Sequence, residues 1–173
     1  MADAAKYSVI ESLKGGRRVE IRALRPDDRG EFADAVSRSS AESLRRRFFA
    51  PRRSFTEQEI AFFVDVDFVN HVALVAVTEE GDRPVIVGAG RYVVVESAQA
   101  EIAFTVADQC QGLGVGGSLM RHLSALAREA GIRELIAEVL PENTPMLTVF
   151  KKSGLRLITT RERGIVHVTL NLF

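Results

Sequence analysis

The chain has 173 residues, 46% of them hydrophobic, and 23 basic side chains balance 23 acidic ones. This length suits one domain with a hydrophobic core, and the charge balance argues against broad binding to nucleic acid or to a membrane surface. A single cysteine excludes an intramolecular disulfide and a cysteine metal cluster, and the three histidines lack zinc-site spacing, so we expect no metal.

The first 16 residues have no long apolar core and end at a pair of glycines. We interpret residues 1–16 as a loosely held lead-in without a signal peptide, and residues 17–173 as a single domain. No segment approaches the roughly 18 apolar residues that a membrane helix needs. The sequence therefore predicts a soluble, cytoplasmic protein.

The first part of the domain combines one strand with several helices. Residues 17–26 alternate apolar and charged side chains, which predicts a half-buried strand that ends at a proline. Residues 27–49 predict two short helices. A third helix begins at Thr56, which has Glu59 three residues later as its capping-box partner.

Strands dominate the next part of the chain. Segments rich in Val, Ile and Phe predict three strands, at residues 71–77, 84–95 and 100–108. The segments between them are short enough for antiparallel hairpins.

A glycine loop separates these strands from the last part of the chain. Residues 112–117 lead into an amphipathic helix that stops at Gly131. Residues 134–140 then predict a buried strand, residues 143–154 a short helix, and residues 155–173 two closing strands. The fold class is therefore α+β, with a mixed, mostly antiparallel sheet of about six to seven strands flanked by helices.

The glycine loop has two interpretations. Gly112, Gly114 and Gly117 match the dinucleotide fingerprint G-x-G-x-x-G, but this fingerprint usually opens a fold, and too little chain follows it here. A nucleoside-triphosphate P-loop is excluded because no Gly-Lys-Ser/Thr follows. The second pattern, Gln111-x-x-Gly114-x-Gly116, suits a pyrophosphate, since glycines allow close backbone approach and the next helix adds its positive end.

This second pattern, between a strand and a helix, resembles the acyl-CoA loop of the GNAT superfamily of N-acetyltransferases. Residues 143–155 resemble the family's second motif, with Asn143 opening a helix that ends at Gly154 and Leu155. The element order matches over nearly the whole chain. The resemblance implies that acetyl-CoA is the cosubstrate. It implies these binding residues: Thr105, Val106, Gln111, Gly112, Leu113, Gly114, Val115, Gly116, Gly117, Ser118 and Asn143.

A narrower resemblance covers the segments GGRRVEIRALRPDD, SSAESLRRRFFAP, FTEQEI and AEIAFTVAD. They are similar to the acetyltransferase domain of bacterial protein-lysine acetyltransferases. Larger members fuse this domain to an acyl-CoA-synthetase-like or cyclic-nucleotide-binding part, and neither fits in this chain. The resemblance implies protein lysine as the leading acceptor and a small-molecule amine as the second. It leaves the oligomeric state open.

Transfer to lysine requires a base, because the reference pKa of the amine is near 10.4. Glu101 opens an otherwise buried strand, in which the apolar residues 102, 104 and 106 face the side opposite to Glu101. Lysine-acetylating relatives carry a catalytic Glu at this point, so the resemblance implies that Glu101 is the general base. A solvated hairpin end is the other interpretation of Glu101. Glu96, across the same hairpin, is the alternative base. We interpret His71 as structural or exposed.

The thioester oxygen would be polarised by backbone amides near Val106, an assignment that the resemblance supplies. Many superfamily members carry a Tyr that protonates the leaving thiolate, whereas this chain has Phe150. Since a thiol has a pKa of only about 8.5, transfer can proceed directly in a ternary complex without that acid. The missing Tyr also leaves open a non-catalytic acyl-CoA-binding module.

Three further features allow more than one interpretation. The basic cluster at residues 45–53 suits an acidic protein surface or the CoA 3′-phosphate, but more commonly such a cluster is a solvated helix end. We interpret Cys110 as a small core residue and not as a nucleophile. His122 lies off the apolar stripe of its helix, which predicts that it is solvated.

Overall fold

A computed structural model describes residues 3–48 and 55–173. Within these residues, eight strands form one mixed sheet with the order β1-β2-β3-β4-β5-β6-β8-β7. The strands are β1 (Ser8–Ser12), β2 (Arg18–Ala23), β3 (His71–Glu80), β4 (Arg83–Glu96), β5 (Gln99–Val106), β6 (Glu134–Val139), β7 (Arg156–Glu162) and β8 (Ile165–Asn171). The helices are α1 (Arg29–Arg38), α2 (Ala41–Phe48), α3 (Glu57–Val64), α4 (Val115–Glu129) and α5 (Thr144–Lys152). This arrangement confirms the predicted α+β class.

The strand that the sequence did not predict is β1, which lies in the segment interpreted as a lead-in. It pairs antiparallel with β2 from Ser8↔Arg22 to Ser12↔Arg18. None of its residues is buried, and Ile10 is 56% exposed. An edge strand of this kind has little apolar alternation, so its sequence carries no clear strand signal.

Polar side chains fasten β1 to α4. Glu11 accepts hydrogen bonds from Ser118, Arg121 and His122, and the second nitrogen of His122 contacts the Tyr7 hydroxyl. Burial alone would raise the pKa of Glu11, but these hydrogen bonds hold it at about 2. The prediction that His122 is solvated is wrong, because the side chain is enclosed between Glu11 and Tyr7 and is only 9% exposed.

The buried residues form one core on each face of the sheet. The larger one joins β5, β6 and β8 to α4 through residues such as Phe104, Leu119, Leu123, Leu135 and Leu170. The smaller one includes Val75 and Ile86, with Phe32 of α1 and Ile60 of α3 packed against it. No helix within the described ranges is long and apolar enough to cross a membrane.

β5 and β6 are parallel neighbours that separate soon after they meet. They pair only at Gln99↔Glu134, Ala100↔Leu135 and Glu101↔Ile136. Beyond Glu101, β5 stays paired with β4, while β6 pairs with β8. One edge of β5 is therefore open from Ile102 onward.

The two faces of β5 also differ. Ile102 and Phe104 are 2% and 3% exposed and pack in the α4 core, whereas Glu101, Ala103 and Thr105 lie on the other face. This alternation confirms the pattern predicted from the sequence. Helix α2 contacts β5, and its Arg47 lines one cavity with Ala103 and Thr105.

Candidate active site

The separation of β5 from β6 opens a cleft of about 990 Å³. This volume is at the upper end of the range for small-molecule sites. Ten residues predicted for the site line it: Glu101, Thr105, Val106, Gln111, Gly112, Gly114, Val115, Gly116, Gly117 and Asn143. The fold thus brings the two sequence motifs and the candidate base to one cavity.

The open edge of β5 presents backbone groups to this cleft. The amide of Ala107 donates to the Val87 carbonyl on β4 at 2.8 Å. Because successive amides of a strand point to opposite edges, the amide and carbonyl of Val106 face away from β4 and toward the cleft. The Gln111 side chain contacts that carbonyl at 3.3 Å. Val106 can therefore donate a hydrogen bond to an oxygen bound in the cleft.

The glycine loop has the backbone conformation that a phosphate cradle needs. Gly112 and Gly114 have φ of +81° and +97°, and no atom lies within 4 Å of the position of a Cβ at either residue. Gly114 is the N-cap of α4, and the first amides of a helix have no intrahelical acceptor. These free amides and the positive helix end fit the pyrophosphate of acetyl-CoA.

Gly116 serves a packing role in the same loop. A Cβ at Gly116 would lie 3.1 Å from Cγ2 of Val149. The glycine therefore lets α4 and α5 approach each other closely at the wall of the cleft.

Two of the predicted binding residues direct their side chains elsewhere. The Ser118 hydroxyl donates to Glu11 on β1 and is 4% exposed. Leu113 packs against the main core, and its carbonyl accepts a hydrogen bond from the Lys14 amide at 3.2 Å. Neither residue lines the cleft, so only their backbone can contribute to the loop.

The second motif lies on the opposite wall. The Asn143 side chain accepts from the Met146 amide at 3.3 Å, which confirms that Asn143 caps α5. Phe150 is 1% exposed and packs against Phe104 with ring centroids 6.2 Å apart. The position at which relatives carry a Tyr is therefore an apolar part of the cleft wall.

A polar network that the sequence did not indicate joins the glycine loop to α2. Asp108 accepts from the Ser40 amide at 2.9 Å and from the hydroxyls of Ser40 and Ser43. Burial opposes ionisation here, but the Ser43 and Ser40 hydrogen bonds lower the pKa of Asp108. Ser40 and Ser43 lie more than 60 positions from Asp108 in the sequence, so no local pattern indicates this network.

Several cations at the cleft were also not singled out from the sequence. Lys14, Arg121, Arg128 and Lys152 line it and can supply positive charge to phosphates. The basic cluster at residues 45–53 is described only as far as Phe48, and residues 49–53 lie outside the described residues. No group of three or more metal-ligating side chains occurs in the part of the chain that the structure describes.

Glu96 and His71 do not line the cleft, whereas Cys110 does. Glu96 is exposed near the β4–β5 turn, and Cys110 is fully buried. His71 is 9% exposed, and its Nε2 lies 2.9 Å from Nη1 of Arg91. Burial and the Arg91 charge lower the pKa of His71 to about 4, so this imidazole is neutral and weakly basic at pH 7. His71 is a structural residue, as expected.

The lowered pKa of His71 predicts acid sensitivity. Between pH 6.5 and 4, His71 is protonated in the unfolded chain but stays neutral in the folded chain. The free energy of unfolding therefore falls as the pH drops through this window. At pH 5 we expect the loss to be about 1–2 kcal/mol relative to pH 7. Urea unfolding at both pH values checks this, with His71→Gln as the comparison. The same loss in the variant would contradict the assignment.

Comparisons with known proteins agree with this architecture. The profile of the Acetyltransferase (GNAT) domain family matches residues 18–156. Acetyltransferase PA5475 of Pseudomonas aeruginosa is 36% identical over 127 residues, which cover 73% of this chain and 68% of that protein. Acetyltransferase Pat of Mycolicibacterium smegmatis is 32% identical over 144 residues, and the match covers 82% of this chain but only 42% of Pat.

A solved structure extends the likeness to the whole fold. The GNAT domain of PAT from S. lividans superposes with a TM-score of 0.86 at 32% identity, covering 95% of this chain and 96% of that domain. The resemblance to bacterial protein-lysine acetyltransferase domains is thereby confirmed. The chain belongs to the GNAT acetyltransferase family, and it is an N-acetyltransferase that uses acetyl-CoA as its acyl donor.

Proposed function

We propose that the chain transfers the acetyl group directly from acetyl-CoA to the side-chain amine of a protein lysine, with Glu101 as the general base. The observation that carries this proposal is the place of Glu101, at the last paired position before β5 and β6 separate. Its side chain is exposed and lines the cleft. A carboxylate there can take the proton of an incoming ammonium group, directly or through water.

The remaining groups of the cleft have complementary roles. The amide of Val106 would hydrogen-bond the thioester oxygen and stabilise the negative charge that develops on it. The loop from Gln111 to Gly117 would hold the pyrophosphate, and Asn143 would bind the pantetheine arm. Phe150 cannot donate a proton, so the thiolate leaves without help from that position. Holding both substrates in one cleft supplies much of the rate, and no covalent intermediate is needed.

Protein lysine is favoured as the acceptor by the similarity to Pat and to the S. lividans PAT domain. A small-molecule amine is the alternative within the same chemistry, because the cleft does not by itself define the size of the acceptor. The matched residues span less than half of the length of Pat.

The proposal is tested by thiol release from acetyl-CoA with a panel of folded proteins, lysine peptides and small amines. We expect release that depends on the protein or peptide acceptors, with acetyl-lysine identified by mass spectrometry. Thiol release with small amines alone would show that the acceptor is a small-molecule amine and not a protein lysine. Thermal stabilisation by acetyl-CoA without release for any acceptor would contradict catalysis and favour a binding module.

A further inference from the structure

A second, smaller cavity lies beside the cleft on the Glu101 face of β5. Its volume is about 70 Å³, and residues of α1, α2, β4 and β5 line it. It shares Arg47, Phe48, Ala103 and Thr105 with the wall of the cleft. A small group in this cavity would therefore lie next to an acceptor bound at Glu101.

The lining of this cavity is mostly apolar, and the charged side chains described in it are all basic. Arg38, Arg47 and Arg91 line it, whereas no Asp or Glu among residues 3–48 and 55–173 does. Arg38 is paired with Glu31 at 2.7 Å. The other two arginines have no carboxylate partner in the described ranges. The undescribed residues 49–54 contain no Asp or Glu that could supply one.

Arg91 and Arg47 make only uncharged contacts in place of ion pairs. The Nη1 of Arg91 donates to the Phe63 carbonyl at 3.0 Å and lies 2.9 Å from Nε2 of the neutral His71. Arg91 is only 6% exposed. The Arg47 guanidinium lies 4.7 Å from the ring centroid of Phe48 and has no hydrogen bond to any described residue.

Two such guanidinium groups beside one small cavity are electrostatically unfavourable. Burial, together with the positive charge of Arg47, lowers the pKa of Arg91 to about 9. Burial also lowers the pKa of Arg47, and Glu101 only partly opposes this effect. Buried cations normally have a paired anion, because an uncompensated buried charge is costly. The cavity is therefore complementary to a small anion.

We propose that this cavity binds a carboxylate of the acceptor, so that the enzyme prefers amines that carry a carboxylate nearby. This inference rests on the proposed transfer at Glu101. Ala103 and Thr105 lie two and four residues along β5 from Glu101 and on the same face, which places the cavity about 7–13 Å from the base. That separation suits the amine and α-carboxylate of one lysine, or an acidic side chain beside an acceptor lysine.

The test compares acceptors that differ only in the carboxylate. One pair is a peptide with Glu or Gln next to its single lysine, and the other is Nα-acetyl-lysine and its amide. We expect at least one carboxylate acceptor to have a kcat/KM about 10-fold higher than its neutral match, since hydrogen bonds to charged groups are the stronger ones. The pair that shows the preference identifies the source of the carboxylate.

Variants test whether the preference for carboxylate acceptors arises in the small cavity. Arg47→Gln should reduce the ratio to about 2 or less. Arg47→Lys, which keeps the charge, should retain part of the ratio. Arg29→Gln removes the same charge outside both cavities and should keep the full ratio. Equal rates within both pairs, or a ratio that survives Arg47→Gln, would overturn the proposal.

A binding measurement distinguishes failure of the proposed acetyl transfer from failure of the anion site. Calorimetric titration of the protein with glutarate, in the presence of CoA, needs no acetyl transfer. Glutarate binding that Arg47→Gln weakens about 10-fold supports the anion site, even if none of the four acceptors is acetylated. No binding, or equal binding by the two proteins, overturns the anion site independently of turnover.

Discussion

Replacing Glu101 by Gln is expected to lower kcat by a factor of about 10²–10⁴, while the affinity for acetyl-CoA stays near its native value. The amide has nearly the shape of the carboxylate but cannot take the proton of the incoming ammonium. Glu101 lies at the end of the β5–β6 pairing, whereas the glycine loop that fits acetyl-CoA begins ten positions later. The substitution therefore changes the proton acceptor and leaves the proposed phosphate cradle intact.

The measurement is acceptor-dependent thiol release at saturating acetyl-CoA, together with the calorimetric affinity for acetyl-CoA. Glu96→Gln is the matched control, since Glu96 is exposed on the same hairpin and does not line the cleft. It should keep native kcat and native affinity. If Glu101→Gln retains native kcat, Glu101 is not the base, and the proton must pass to another group or to solvent. A loss of acetyl-CoA affinity would instead indicate a structural role.

Local sequence signals predicted the elements that depend on neighbouring residues. The capping box of Thr56 and Glu59 begins α3 as expected. Asn143 caps α5, and α4 ends just before Gly131, which has a φ of +82°. The alternation along β5 also placed Glu101 opposite the buried face. Each of these features depends on residues within a few positions of one another, where period and capping chemistry are readable.

Features that depend on distant partners could not be read in this way. The edge strand β1 depends on β2 and on the Glu11–His122 contact, which spans 111 positions. The cleft itself depends on β6 turning away to pair with β8, a property of register rather than of any motif. The unpaired charges of Arg47 and Arg91 become visible only when α2 is packed over β4 and β5. The sequence indicated the chemistry of the site more readily than the way its walls are assembled.

Replacing Gly114 by Val is expected to weaken acetyl-CoA binding by a factor of about 100 or more. Two effects combine at this residue. Gly114 has a φ of +97°, a conformation that a β-branched side chain resists, so the loop is expected to change its path. The new side chain would also project into open space at the cleft, because no atom lies within 4 Å of the Cβ position. That is the space that the pyrophosphate would occupy.

Gly164→Val separates backbone strain from loss of the binding site. Gly164 has a φ of +76°, also has no atom within 4 Å of the Cβ position, and lies between β7 and β8 outside the cleft. Both variants should unfold at lower temperature than the native protein, but only Gly114→Val should lose stabilisation by acetyl-CoA and calorimetric binding. Normal binding by Gly114→Val would show that the pyrophosphate does not lie on this loop. In that case the positive φ of Gly114 would serve only to begin helix α4, and acetyl-CoA would have to bind elsewhere along the open edge of β5.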